Sequence, residues 1–167
     1  MRYVALMVGA LPLLLAACEA PPPTGVEADG MGALLNRSAP SCDNLAGSIE
    51  ASFVSGEAWD IEAELFDPAG AGIGHGFAWI DALEPRGDGA IHVEMRHRYV
   101  IGGSDLYTAD LGVLSPIAPP LFRFNNRLEV TGGTGDFAGA TGMLRAHGTV
   151  DLGSGEILLA YHGRVCG

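Results

Sequence analysis

The sequence predicts an all-β protein: a small closed antiparallel eight-stranded β-barrel. Three observations lead there. Glycine 25 and proline 10 among 167 residues supply turns at a density that helical bundles do not tolerate. From residue 42 onward, apolar and polar residues alternate with period two, and no stretch carries a convincing helical period. The alternating stretches number eight and are joined by short turns, and closing them on one another removes the exposed edges of an open sheet. The charge balance excludes other classes. The formal net charge is −11, every one of the nine basic residues is Arg, and there is no Lys. A nucleic-acid partner is disfavoured without a basic footprint. Lysine Schiff-base chemistry and a P-loop Lys are excluded outright.

The chain divides into three parts. Residues 1–17 read as a lipoprotein signal peptide: a positive Met1-Arg2 start, then an apolar run from Tyr3 to Ala17. That run is shorter than the ~20 residues needed to cross a bilayer. It ends Leu15-Ala16-Ala17-Cys18, which resembles the bacterial lipobox, in which the Cys is lipidated and becomes the first residue after cleavage. A diacylglycerol thioether plus an amide-linked acyl chain such as palmitate exceeds the two-anchor threshold for stable attachment. Glu19 follows where Asp is the inner-membrane retention signal, so the resemblance to lipoprotein sorting favours the outer membrane, facing the periplasm or the cell surface. The alternative is a plain secretory signal cleaved near Ala20, with Cys18 discarded. Residues 18–41, with Pro21-Pro22-Pro23 and scattered Gly and acids, form a tether that cannot bury enough apolar surface to order itself. Residues 42–167 are the barrel domain.

With Cys18 assigned to lipid, Cys42 and Cys166 remain, one near each end of the folded part and in an oxidising compartment. They are expected to pair, with two free thiols as the alternative. No zinc-ligand spacing surrounds them.

Strands are expected at about 47–54, 58–66, 73–81, 89–101, 104–114, 121–131, 142–152 and 155–166. In the fourth, Ile91, Val93 and Met95 oppose His92, Glu94, Arg96 and Arg98. The fifth is ambiguous, since Tyr107-Ala109-Leu111-Val113 and Leu106-Thr108-Asp110 are both plausible inward sets. In the sixth, Phe122, Phe124, Leu128 and Val130 oppose Arg123, Asn125, Arg127 and Glu129. In the last hairpin Leu144, Ala146, Gly148, Val150 and Leu152 share a face with Ile157, Leu159, Tyr161, Gly163 and Val165. Its wet face carries Arg145, His147, Thr149, Asp151, Glu156, His162 and Arg164.

Between the sixth and seventh strands lies Thr131-Gly132-Gly133-Thr134-Gly135-Asp136-Phe137-Ala138-Gly139-Ala140-Thr141-Gly142. It satisfies GxGxxA but precedes a strand, with no helix expected whose N-terminus would cradle a phosphate. The structural expectation is a tight glycine crossing, with Phe137 pinning the loop to the barrel end. Gly132, Gly133, Gly135, Phe137, Ala140 and Gly142 follow a GGTG-x-F-x-x-A-x-G pattern. In this the segment resembles the allene oxide cyclase-like and dirigent-like β-barrels, a calycin-like architecture. The motif covers some fifteen residues, with a looser strand-count similarity over 42–167. The resemblance implies an eight-stranded barrel with a central cavity, sometimes used to steer a reactive intermediate to one product. It carries over no catalytic residue.

Polar residues on the apolar parity are the candidate site, because each needs a partner or a purpose. They are His97, Tyr99, Asp110, Asn126 and Tyr161. Together they would hold a small ligand or serve as acid–base groups. The alternative is that backbone carbonyls satisfy His97 and Asn126, while the tyrosines reach solvent at the barrel mouth. No metal or cofactor is expected. His92 and His97 point to opposite faces, and the arginines beside His147 and His162 repel a cation. No GxSxG elbow or carboxylate pair signals hydrolysis.

Two function classes follow. One is a lipid-anchored envelope protein binding a small apolar ligand or an envelope partner, without hydrolytic activity; with a filled barrel it reduces to an interaction module. The other is a cyclase or isomerase using the cavity as a template.

Overall fold

A computed structural model describes residues 41–167. The expected signal peptide, the lipidation candidate Cys18 and nearly all of the expected tether lie outside the described residues. Eight strands follow in chain order: β1 Cys42–Phe53, β2 Ile61–Phe66, β3 Gly72–Pro85, β4 Ile91–Ile101, β5 Ser104–Ala118, β6 Leu121–Gly133, β7 Thr141–Asp151 and β8 Glu156–Cys166. Each pairs antiparallel with the next, and β1 pairs with β8 to close the barrel. The architecture is the one the alternation predicts.

Several boundaries differ from expectation, for identifiable reasons. β1 starts at Cys42 rather than 47, because its first residues pair with the last of β8, beginning at Cys42↔Cys166. β2 starts at Ile61 because residues 54–60 form a loop, closed by the Val54 amide donating to the Asp60 carbonyl at 3.0 Å. β3 continues to Pro85 by absorbing Asp81 in a bulge. β5 runs to Ala118 through a similar irregularity at Ile117. Leu152, expected inward, lies past the end of β7 in a turn and is 43 % exposed.

The barrel is filled in two layers. Toward the end where Cys42 and Cys166 sit, Ile49, Leu65, Leu106, Leu128, Leu144 and Val165 pack together. Toward the opposite end, Ile61, Val93, Met95, Leu114, Phe124 and Ile157 form a second cluster. On β5 the inward set is Leu106, Thr108 and Asp110, while Tyr107 and Leu111 face out, which resolves the ambiguity in that strand.

The glycine-rich connection plugs the first end. Within it lies a single 3₁₀ turn, Gly135–Phe137, too short to offer an anion site. The Thr134 amide donates to the Asp105 carbonyl at 2.8 Å, and the Asp105 amide donates to Thr134 Oγ1 at 3.0 Å. The Asp136 amide donates to Ser104 Oγ at 3.1 Å. Phe137 packs on the inner layer. Gly133 is required for this approach, since a Cβ there would lie 2.2 Å from the Asp105 carbonyl oxygen and 2.5 Å from Phe137 Cβ. Gly132, Gly135 and Gly142 have positive φ of 136°, 53° and 149°. Cys42 and Cys166 are disulfide-bonded across the β1–β8 seam, closing a sequence separation of 124.

Candidate functional site

Between the inner layers, open at the end opposite the plug, lies a cavity of about 180 Å³. Its walls are almost wholly apolar, with Ile61, Ala78, Val93, Leu114, Phe124 and Ile157 among them. Phe53, Leu83 and Leu152 line its mouth and are 39 %, 55 % and 43 % exposed. Residues this apolar stand partly in water here because the ends of β1, β3 and β7 leave nothing to cover them. A smaller void of about 70 Å³ lies toward the plug, lined by Phe137 and Tyr161 among others. Ile49, Tyr99 and Leu128 border both spaces and form the partition between them.

One wall carries polar chemistry. β4, β5 and β6 are consecutive in the sheet and contribute His97, Asp110 and Asn126 to its inner face. His97 pairs across the ladder with Thr108, and Asn126 with Gly112, so Asp110 stands on the diagonal from each. The His97 imidazole pairs through Nδ1 with Asp110 Oδ2, and the Asp110 side chain is 0 % exposed. Asn126 Nδ2 approaches the same carboxylate oxygen at 3.5 Å, a long contact. Gly112 permits this crowding. A Cβ there would lie 2.5 Å from the Phe124 ring and 3.2 Å from Asn126 Oδ1. Tyr99 stacks on His97, with ring centroids 5.2 Å apart and planes within 7°.

Neither His97 nor Asn126 is satisfied by backbone carbonyls; both turn to Asp110. Tyr99 is buried rather than solvated. Burial pushes its hydroxyl well above the ordinary phenol range, with the Asp110 carboxylate and Tyr161 adding to the shift. It therefore stays neutral. Tyr161 lies apart from the polar wall, against the smaller void, and its hydroxyl donates to the Phe66 carbonyl at 3.4 Å. Its pKa is also raised, by burial and then by Asp67. The structure thus brings together His97, Tyr99, Asp110 and Asn126, and sets Tyr161 elsewhere.

Apart from His97 Nδ1, whose close contact with Asp110 lacks hydrogen-bond geometry, three buried polar atoms at this wall have no protein partner: Thr108 Oγ1, Asp110 Oδ1 and Asn126 Oδ1. An unmet buried polar group costs about 1–3 kcal/mol, so the wall is arranged around something other than packing. With Nδ1 committed to Asp110, His97 has Nε2 left for a ligand, the division of labour by which a carboxylate orients an imidazole. Thr108 was reachable from sequence only as a member of one of the two alternative β5 faces. The apolar mouth had no signal, because Phe53 read as an ordinary strand residue and Leu83 fell beyond the expected third strand.

The remaining histidines do not join this site. His92 faces out, with Nδ1 3.5 Å from Arg86. His147 and His162 lie on the outer wall with ring centroids 5.9 Å apart. Among the described residues no group of three or more His, Cys, Asp and Glu is placed to hold a metal ion.

No protein-family model matches the chain. No curated protein matches it in sequence. Among solved structures, it is similar to a pterocarpan synthase dirigent protein at 17 % identity and a TM-score of 0.45, over 77 % of this chain and 86 % of that one. That likeness brings no residue role or activity to this chain; the closed barrel rests on its own strand pairing.

Proposed function

We propose that this protein is a lipid-anchored envelope protein whose barrel takes up a small, mainly apolar molecule bearing one hydrogen-bonding group. The observation that carries this reading is an apolar cavity open at one end and holding a single buried polar cluster, His97–Asp110–Asn126. Small-molecule sites have that composition: apolar walls for affinity and a few placed polar groups for orientation. At about 180 Å³ the space suits one or two rings, since dry cavities of about 150 Å³ already accept benzene. A longer tail would project through the apolar mouth. Anchoring and outer-membrane placement rest on the Leu15-Ala16-Ala17-Cys18 ending and on Glu19.

Indole and indene test the reading by calorimetric titration, because they share a fused six–five ring frame and differ in N–H against CH2. If Nδ1 donates to Asp110, the neutral imidazole's Nε2 accepts from a ligand. Indole should then bind about fivefold tighter, the worth of one net hydrogen bond. His97→Phe should erase that preference, and Ala146→Phe, which fills the cavity, should abolish binding of both while the circular dichroism stays β. Equal binding to the filled barrel would refute a cavity site. Cys18→Ser should leave unprocessed precursor without lipid label; a normally cleaved soluble product would remove the anchor.

The His97–Asp110 pair also favours a second reading, an isomerase that moves a proton within the bound molecule. His97 Nε2 would accept a proton from one carbon and return it at another, with the water-poor cavity suppressing hydrolysis. Its signature is exchange of solvent deuterium into the ligand, lost in His97→Ala and strongly reduced in Asp110→Asn.

A further inference from the structure

The outer wall formed by β6, β7 and β8 carries an arrangement that neither the cavity nor the fold requires. Seven arginines fall among the described residues. Three are paired with acids: Arg86 with Glu84, Arg96 with Asp81 and Arg98 with Asp105. The other four, Arg123, Arg127, Arg145 and Arg164, have no acidic partner among the described residues, and all four lie on β6, β7 and β8.

The register sharpens it. Arg127 stands directly opposite Arg145, which stands directly opposite His162, so three basic side chains form one row across three adjacent strands. All three are exposed on the outer face. Directly opposed residues hold their Cβ atoms about 5 Å apart, and like charges so placed repel. In the next row His147 faces Asn125. These five residues line one surface concavity. Arg127 Nε is occupied by Met143 Sδ at 3.2 Å, which orients the side chain and leaves its Nη groups unused. Glu94 falls on the same row but two strands away, with exposed Leu111 between it and Arg127. Glu129 is the nearest acid on β6, two residues along, opposite Met143. A cation is repelled here, and a protein surface selected only for solubility would intersperse acids.

We propose that Arg127, Arg145, His147 and His162, with Asn125, form an exterior oxyanion site that takes a phosphate group. Two guanidinium forks supply planar paired donors for phosphate oxygens, and the imidazoles and the amide add single donors at the edge. The site is independent of the cavity, whose polar wall faces inward on β4–β6. Phosphate of this kind comes either free or on a lipid headgroup, and both present the same oxygens.

The test uses the full chain in detergent and its Arg127→Ser/Arg145→Ser variant. Inorganic phosphate should perturb the Arg Nε–H and histidine ring resonances of the wild type and raise its melting temperature. The double variant should bind at least tenfold more weakly, yet melt no lower in the absence of phosphate, because the opposed charges are gone. Titration with monomeric dihexanoyl-phosphatidic acid and dihexanoyl-phosphatidylcholine separates the sources, because neither offers a bilayer for an N-terminal lipid to enter. Binding of the phosphatidic acid but not of inorganic phosphate or phosphatidylcholine, lost in the double variant, supports the site with a headgroup as its ligand. Equal binding by the double variant, or no response to either phosphate source, overturns it. Indole binding should be the same in both proteins, so a failure here is distinct from a failure of the cavity reading.

Discussion

The two ends of the barrel solve opposite problems. At one end the chain crosses over itself: the glycine-rich loop is hydrogen-bonded to Ser104 and Asp105, Phe137 drops onto the inner layer, and the disulfide closes the seam. At the other end the connections stay outside the barrel axis. They are held by their own acids, with Asp88 accepting from the Ala90 amide at 3.0 Å, Asp151 from the Gly153 amide at 2.8 Å and Asp60 from the Ile80 amide at 2.8 Å. Phe53, Leu83 and Leu152 then stand open around the cavity. Stability is concentrated at the plugged end and access at the other.

Substitutions at the two ends should therefore differ in size and in kind. The largest effect belongs to the disulfide. Closing a loop of 124 residues is worth about 4–5 kcal/mol on the chain-entropy model, so Cys42→Ala/Cys166→Ala should lose several kcal/mol in urea unfolding. Reduction of the wild type should reproduce that loss. Phe137→Ala, which removes the plug while the strands remain, should cost about 2–3 kcal/mol, and amide exchange should quicken in β5 and β6 near the loop first. A comparable loss from Leu83→Ala at the mouth would erase the distinction between the ends. That substitution should change stability by no more than about 0.5 kcal/mol while weakening uptake of an apolar probe.

The partition between the two spaces gives a pH effect. Tyr99 has its pKa raised on folding, chiefly by burial. A group raised in this way contributes its full share of stability below its unfolded value, about 10 for tyrosine, and loses it as pH climbs toward the folded value. Alkaline unfolding of the wild type should accompany ionisation of Tyr99. Tyr99→Phe should move that transition upward, as followed by tyrosinate absorbance and circular dichroism together. An unshifted transition would place the alkaline weak point elsewhere.

The barrel was legible because half-buried strands write their faces in alternation, as β6 does from Phe122 to Val130. What escaped depended on neighbours in space. β5 carries Leu111 outward, 62 % exposed, and Asp110 inward, fully buried. Hydrophobicity alone assigns that strand wrongly or not at all. Its orientation follows only once His97 and Asn126 flank Asp110 from the adjoining strands. His97 and Asn126 were identifiable as inward by counting in twos; their shared carboxylate was not. The basic row escaped for a related reason. Arg145, His147, His162 and Arg164 appeared as a wet face of one hairpin, but the opposition of Arg127 to Arg145 depends on a register set by the loop between β6 and β7.

The seam disulfide has a mechanical consequence. The first residues of β1, Cys42 to Gly47, pair only with β8, and β2 joins β1 from Ser48 onward. A pull on the chain ahead of Cys42 would otherwise peel that overhang away one hydrogen bond at a time. With Cys42 bonded to Cys166 the load divides between two strands at the first rung, and rupture requires them to slide against the whole sheet. A load arriving through the segment ahead of Cys42 would thereby meet a covalent link before it met any hydrogen bond between β1 and β8.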